Sequence, residues 1–251
     1  MWIPDAADAP RTAGIATETN GAPVAVSRAR LYHFFELAMA HPGEDGIEYF
    51  RRAETEQEFL DAFALALSDQ SRWAAEGVDA ARRFFSSIRQ TSYELIEAAH
   101  IGLFSSNYPS LPCPPYGSLF TAPDSDKRLE HMLAIKQFYQ RNGVDIADNF
   151  DDLPDHLCVE LEFLQLLAFR ESEALATEEN DVLEGVRETQ REFLDWFFLP
   201  LVIGLADLAA ASMPASPYSQ LLQAARALAR GHRLELGMSN GNASLDQETE
   251  S

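Results

Sequence analysis

The sequence predicts an all-α fold, and three observations carry that prediction. Apolar residues recur at spacings of three and four through most of the chain, the period of one helix face. No segment alternates apolar and polar residues as a half-buried strand does, and nothing repeats at a fixed longer period. Helix-breaking prolines gather in one place, at 109, 112, 114, 115 and 123. With 251 residues and 46% hydrophobic content, the chain can bury a sizeable core without covalent staples.

Residues 1–26, with Trp2, Ile3 and scattered Pro, Ala, Asp and Thr, read as a disordered or loosely docked arm. A first helix is expected from Ser27 through Leu31, Phe34, Phe35, Ala38 and Met39, stopping at His41-Pro42-Gly43. Thr55-Glu56-Gln57-Glu58 has the form of a capping box, with Phe59, Ala62, Phe63 and Ala66 as the stripe behind it. From Ser71 to Phe104 the apolar pattern suits two consecutive helices or one long bent one. Ser105 to Asp124 loses the period and reads as an ordered loop holding Tyr108, Tyr116 and Phe120.

A helix then runs from Ser125 through Leu129, Met132, Leu133, Lys136 and Tyr139 to a left-handed stop at Asn142-Gly143. The connection 144–153 leads to Leu153-Pro154-Asp155-His156. There Pro154 suits the first helical position, and Asp151, Asp152 and Asp155 favour the positive end of the helix dipole. Leu157, Leu161, Leu164 and Ala168 line one face of the helix that follows. Thr177 is the expected start of the next helix, which reaches Phe197 and kinks at Pro200; Ser216-Pro217 caps a last helix that stops at Gly231. One helical domain over 27–231 is therefore expected, with groups at about 27–143 and 154–231 joined and hinged by 144–153. The polar, acidic residues 232–251 read as a disordered tail.

Nineteen basic residues against 40 acidic ones give a formal net charge of −21, which opposes nucleic-acid binding and attracts a basic peptide. Cys113 and Cys158 lie in unlike contexts without a ligand-spaced partner, as in a reduced, cytoplasmic protein. The amino terminus carries no charged region followed by an apolar one, so no secretion signal is expected. The strongest apolar run, Phe197 to Ala211, holds Pro200 and Asp207 and is shorter than the roughly 20 residues a membrane span needs; it reads as a core helix.

Asp155, His156 and Glu160 form the first candidate site. His156 and Glu160 are four apart and can share a helix face, which suits an acid/base pair or half a metal site, although a lone histidine at a helix start more often packs or hydrogen bonds. Glu97-Ala98-Ala99-His100 is a Glu-x-x-His motif of the type used twice in dinuclear-metal bundles, and here it occurs once. A helical metal-dependent enzyme built on Glu97, His100, His156 and Glu160 is the alternative reading of these residues. No phosphate-binding glycine loop, dinucleotide fingerprint or nucleophile elbow is present.

Asp152-Leu153-Pro154-Asp155-His156-Leu157, followed by Glu160-Leu161-Glu162-Phe163-Leu164, resembles the signature of the TorD/DmsD/NarJ family of molybdoenzyme chaperones. Leu103-Phe104, Tyr108-Pro109 and Pro115-Tyr116-Gly117-Ser118-Leu119-Phe120 resemble that family's proline-tyrosine loop. Phe193-Leu194, Leu199-Pro200 and Pro217-Tyr218 match its closing pattern more weakly. Gly117 departs from the glutamate that many members carry there, and Phe197, Phe198 and Leu201 depart from the family's His-Leu and Trp positions. The resemblance spans about Ser27 to Gly231. It implies a TorD-like helical bundle and a non-enzymatic, cytoplasmic chaperone without a resident cofactor or metal, monomeric or dimeric.

Such a chaperone holds the apo catalytic subunit of a molybdopterin-guanine-dinucleotide enzyme through its N-terminal twin-arginine signal or a related segment. It assists cofactor insertion and delays export until maturation is complete. The Leu-Pro-Asp-His form leans toward the nitrate-reductase branch, while length and tails resemble chaperones serving enzymes of ethylbenzene, dimethyl sulfide, selenate or chlorate. Carried over residue by residue, Asp155 and His156 meet the client, Pro154 sets the turn, Tyr116 lines the adjoining loop, and Asp152 and Glu160 complete the partner-binding set.

Overall fold

The expected apolar stripes become a bundle in which helices distant in sequence lie side by side. A computed structural model of the chain describes residues 21–67, 71–107, 110–146 and 152–246, with backbone alone for 238–246. The described residues form helices without a single strand: α1 Ala22–Met39, α2 Glu44–Arg51, α3 Ala53–Ala66, α4 Arg72–Gln90, α5 Tyr93–His100, α6 Ser118–Thr121, α7 Ser125–Arg141, α8 Leu157–Thr177, α9 Asn180–Phe193, α10 Leu199–Ser212 and α11 Pro217–Asp246. Two π-helical turns, Ile101–Ser105 and Leu194–Phe198, extend α5 and join α9 to α10. The most extensive packing sets α1 along α8 and α4 along α11, so early and late helices share one core. Most of the expected arm (residues 1–20), part of the expected hinge (147–151), and Tyr108 and Pro109 lie outside the described residues.

Several boundaries differ from the sequence expectation, each for a local reason. The first helix begins at Ala22 rather than Ser27, with Pro23 in its first turn and Ala25 buried. Thr55 does not cap a helix. It lies inside α3, its hydroxyl donating to the Tyr49 carbonyl at 2.8 Å, and a separate short helix, α2, precedes it. The break after α4 falls at Thr91-Ser92, where the Arg51 guanidinium donates to the carbonyls of Ile88 and Thr91 and so occupies acceptors that the helix end leaves open. Thr177 ends α8 rather than starting α9, and Glu178 takes the left-handed conformation between them at φ 57°.

The expected kink at Pro200 is instead a π turn just before it, with Pro200 in the first turn of α10. By length and composition the rod Asn180–Ser212 is apolar enough to cross a membrane, but Leu201, Val202, Leu205, Ala206 and Ala209 are buried in the core. In α7 the expected stripe is rotated: Leu129 and Leu133 face solvent, while Ile135, Phe138 and Tyr139 face inward. The last helix continues through Gly231, burying His232 and Leu236. A Cβ at Gly231 would stand 2.6 Å from a Leu67 methyl, so this glycine permits close approach to the end of α3 and does not stop the helix.

Gly77, inside α4, has the same role against α3, because a Cβ there would meet the Phe63 ring at 2.1 Å. Phe63 is fully buried. Gly77→Ala is therefore expected to lower stability by about 1–3 kcal/mol despite the better helix propensity of alanine. Chemical denaturation of the two proteins measures it, and a neutral or stabilising result would mean that Phe63 moves aside freely.

Candidate functional site

The proline-tyrosine loop and the start of α8 fasten to each other by a short backbone clasp. Pro114 and Pro115 offer no N–H, so their segment stays out of helix and presents carbonyls. The Pro115 carbonyl accepts from the Leu157 N–H at 2.9 Å, and the Asp155 carbonyl accepts from the Gly117 N–H at 2.8 Å. Tyr116 and His156 thus face each other as an isolated antiparallel bridge. From α7 the Tyr139 hydroxyl donates to the Pro154 carbonyl at 3.1 Å, fixing the turn from behind.

Asp155 is fully buried. Its Oδ2 accepts from the Ser118 N–H at 2.8 Å, a charge-assisted bond that satisfies one of the free donors at the start of α6. The sequence places Pro154 at the first helical position. In the structure α8 begins three residues later, and His156 is its cap: Nδ1 accepts from the Cys158 N–H at 3.1 Å. That bond assigns the remaining proton to Nε2, which faces Asp152 Oδ2 at 3.7 Å. Burial holds the His156 imidazole below its ordinary pKa, against the opposing pull of Asp152 and Asp155, and so keeps it neutral and able to cap.

The Tyr116 ring stands edge-on to the His156 ring at 5.4 Å. Burial, then the neighbouring Asp152 carboxylate, pushes the Tyr116 phenol up. On the outer side Asp152 and Leu153 are exposed, and Tyr116, Pro154 and His156 are half-buried. The six residues read from the sequence therefore gather in one corner but divide by depth: Asp152, Pro154, Tyr116 and His156 reach its surface, whereas Asp155 and Glu160 lie beneath.

Glu160 is fully enclosed, and burial, reinforced by the Asp155 carboxylate, raises its pKa well above the usual carboxylate range. The helix dipole at the start of α8 works in the opposite direction but is worth only about 0.3–1 kcal/mol. Across the bare face of Gly117 from it lies His131 of α7, which the sequence does not single out. Gly117 had been noted only as a departure from the family pattern. Neither has a periodic signature that would have placed it here.

The residues of the metal-enzyme reading do not form one ligand set, although His100 and His156 lie within electrostatic reach of each other. Glu97 accepts from the Tyr93 hydroxyl at 3.2 Å and faces His41, and His100 Nε2 bonds the Met39 carbonyl at 3.1 Å, at the junction of α1 and α5. His156 is used as a cap and Glu160 is enclosed under the clasp. Among the described residues no three His, Cys, Asp or Glu side chains are arranged to hold a metal ion. Cys113 and Cys158 are unpaired thiols pushed up by burial, to about 11 and about 12, which suppresses the reactive thiolate.

A family model described as nitrate reductase delta subunit matches residues 57–206, from within α3 to within α10, and so takes in the whole clasp. A solved structure of a provisionally assigned redox enzyme maturation protein from Archaeoglobus fulgidus is similar over 84% of this chain and 93% of its own, at 24% identity and a TM-score of 0.44. No curated protein matches the chain.

Proposed function

The chain belongs to the nitrate reductase delta subunit family, of NarJ/TorD-type chaperones, and from that premise we propose that it matures one molybdoenzyme as a dedicated cytoplasmic chaperone. Its client is the apo catalytic subunit of a molybdopterin-guanine-dinucleotide enzyme, held by the N-terminal twin-arginine signal or a related segment during cofactor insertion. Export or assembly waits on that step. The family match over residues 57–206 is the observation that carries the reading.

Two physical features agree with it. The net charge of −21 draws an arginine-bearing peptide and hastens encounter. At the clasp, the Asp152 carboxylate, the exposed Leu153 and the ring edges of Tyr116 and His156 offer an acidic and aromatic patch to such a peptide, with Pro154 shaping the turn. Asp155 and Glu160 serve from underneath, by holding that patch in place.

Co-expression with the apo catalytic subunit of its molybdoenzyme client should give an isolable complex and raise the molybdenum content of that subunit. Asp152→Ala and His156→Ala should each weaken the complex about tenfold or more, the loss of about 1.4 kcal/mol. His156→Ala should in addition cost about 1 kcal/mol of stability through the lost cap. Unchanged molybdenum content in a strain lacking the chaperone would refute the function, and normal binding by both variants would refute the site alone.

A further inference from the structure

Beneath the clasp lies a cluster of buried polar atoms that client binding at the surface does not use. Glu160 Oε1 and Oε2, Asp155 Oδ1 and His131 Nε2 are all buried and lack a hydrogen-bond partner. Two of them, Glu160 Oε1 and His131 Nε2, flank the bare face of Gly117 beside the Asp155 carbonyl. A Cβ at that position would stand 2.8 Å from Glu160 Oε1 and 3.2 Å from His131 Nε2. Gly117 has right-handed helical angles, φ −58° and ψ −38°, which any residue adopts, so the glycine serves space and not conformation.

The protonation pattern follows from the bonds around the cluster. The Thr121 hydroxyl has one proton, directed to the Gly117 carbonyl at 3.2 Å, so it accepts from His131 Nδ1–H at 2.9 Å. His131 Nε2 is therefore a lone-pair acceptor. Asp155, whose other oxygen is engaged by Ser118, presents a second acceptor and interacts electrostatically with both Glu160 and His131. Only a protonated Glu160 supplies a donor. The titratable groups that face it are Asp155 from the turn and His131 and Tyr139 from α7, and the Tyr139 hydroxyl is committed to the Pro154 carbonyl.

We propose that Glu160, His131 and Asp155 form a one-proton latch, in which a single proton on the Glu160 carboxyl, shared toward His131 Nε2 through one water, keeps the 115–121 segment docked on the start of α8. Loss of that proton to solvent base leaves two buried carboxylates side by side, with no protein donor for Glu160 or for Asp155 Oδ1. The loop that carries Gly117 and Ser118 then lifts, admitting water and separating the charges. The latch thus couples the arrangement of Tyr116 and His156 to pH, closed when protonated and open when ionised. As a control on client binding it rests on the function proposed above; as a property of the fold it is measurable on the protein alone, so the two fail separately.

The sign follows from linkage. A carboxyl whose folded pKa is raised binds its proton more tightly when docked, so docking weakens as pH rises above the free carboxyl value of about 4.3 toward the docked one. Burial lowers the pKa of His131 and His156, the histidines of the clasp, which leaves both neutral at pH 7 and above. His33, which its bond to Glu36 raises, pairs within α1 and not with the cluster, so within the cluster the alkaline limb belongs to Glu160.

The test is amide hydrogen exchange at Gly117 and Ser118 of the full chain between pH 6.5 and 9, corrected for intrinsic rates, alongside a carbon-13 titration of the Glu160 carboxyl. In the natural protein, protection should fall tenfold or more across that range, and the carboxyl should be protonated at its lower end. Glu160→Gln keeps a donor and removes the titration, so its protection should change less than twofold. Equal profiles in the two proteins, or an ionised Glu160 at pH 6.5, would overturn the latch. The carboxyl titration needs no variant, so the proposal is decided even if Glu160→Gln does not fold.

Discussion

Phe193→Ala should destabilise the fold by about 3–5 kcal/mol, the range for deleting a buried aromatic side chain and leaving its space behind. Phe193 closes α9, is wholly excluded from solvent, and touches four rings: Phe163 at 4.7 Å, Phe197 at 5.4 Å, Phe138 at 5.6 Å and Tyr139 at 5.9 Å. These come from α7, α8 and the π turn, so the ring fills the point where three elements converge. Small shifts by any one neighbour cannot fill the space that its removal leaves. Trp196, three residues on in the same π turn, is 73% exposed, and Trp196→Ala should change stability by no more than about 0.5 kcal/mol. Urea titration of both variants, followed by helical circular dichroism, gives the contrast. Similar losses at the two positions would mean that the π turn is oriented differently from the arrangement described.

The same cluster explains what could be read from the chain. Helices were legible because apolar spacing is a repeated, local signal: the stripe Leu157, Leu161, Leu164 is buried as expected, and Asn142-Gly143 ends α7 with Gly143 at φ 71°. Helix ends were less legible because the same residues serve different ends. Thr55 matches a capping box but gives its hydroxyl to a carbonyl of the preceding helix, and Gly231 looks like a stop but is a contact with Leu67.

The corner around Asp155 was legible in membership but not in depth. An acid beside a histidine at a helix start looks the same in sequence whether it faces a partner or a neighbouring loop. Its burial is set by Pro115, Gly117 and Ser118, some 40 residues upstream, through backbone bonds that leave no pattern. His156 was unreadable as a cap for a related reason. Aspartate is the usual capping type, and the three aspartates nearby were the natural candidates.

Glu171→Ala is the second variant with a large expected effect, about 3–5 kcal/mol, because it strands buried charge. Glu171 of α8 is buried and accepts from Arg187 Nε at 2.8 Å and Gln190 Nε2 at 2.9 Å, both on α9, while Arg28 Nη1 of α1 stands 4.0 Å away. Arg28, itself buried, also donates to the Ala66 carbonyl of α3 at 3.0 Å and pairs with Glu235 of α11. Two side chains therefore connect five helices at one end of the bundle. Without the Glu171 carboxylate, the Gln190 amide loses its acceptor and the buried Arg28 guanidinium keeps Glu235 as its counterion.

A double-mutant cycle separates this from simple loss of packing. If the cost comes from stranded charge, Arg28→Leu in the Glu171→Ala background should recover part of the loss, with a coupling of about 1–3 kcal/mol. Additive losses would place the cost in the side-chain volumes. In that case the ion pair would add nothing beyond the burial of its stems, as buried pairs can when their desolvation offsets their attraction.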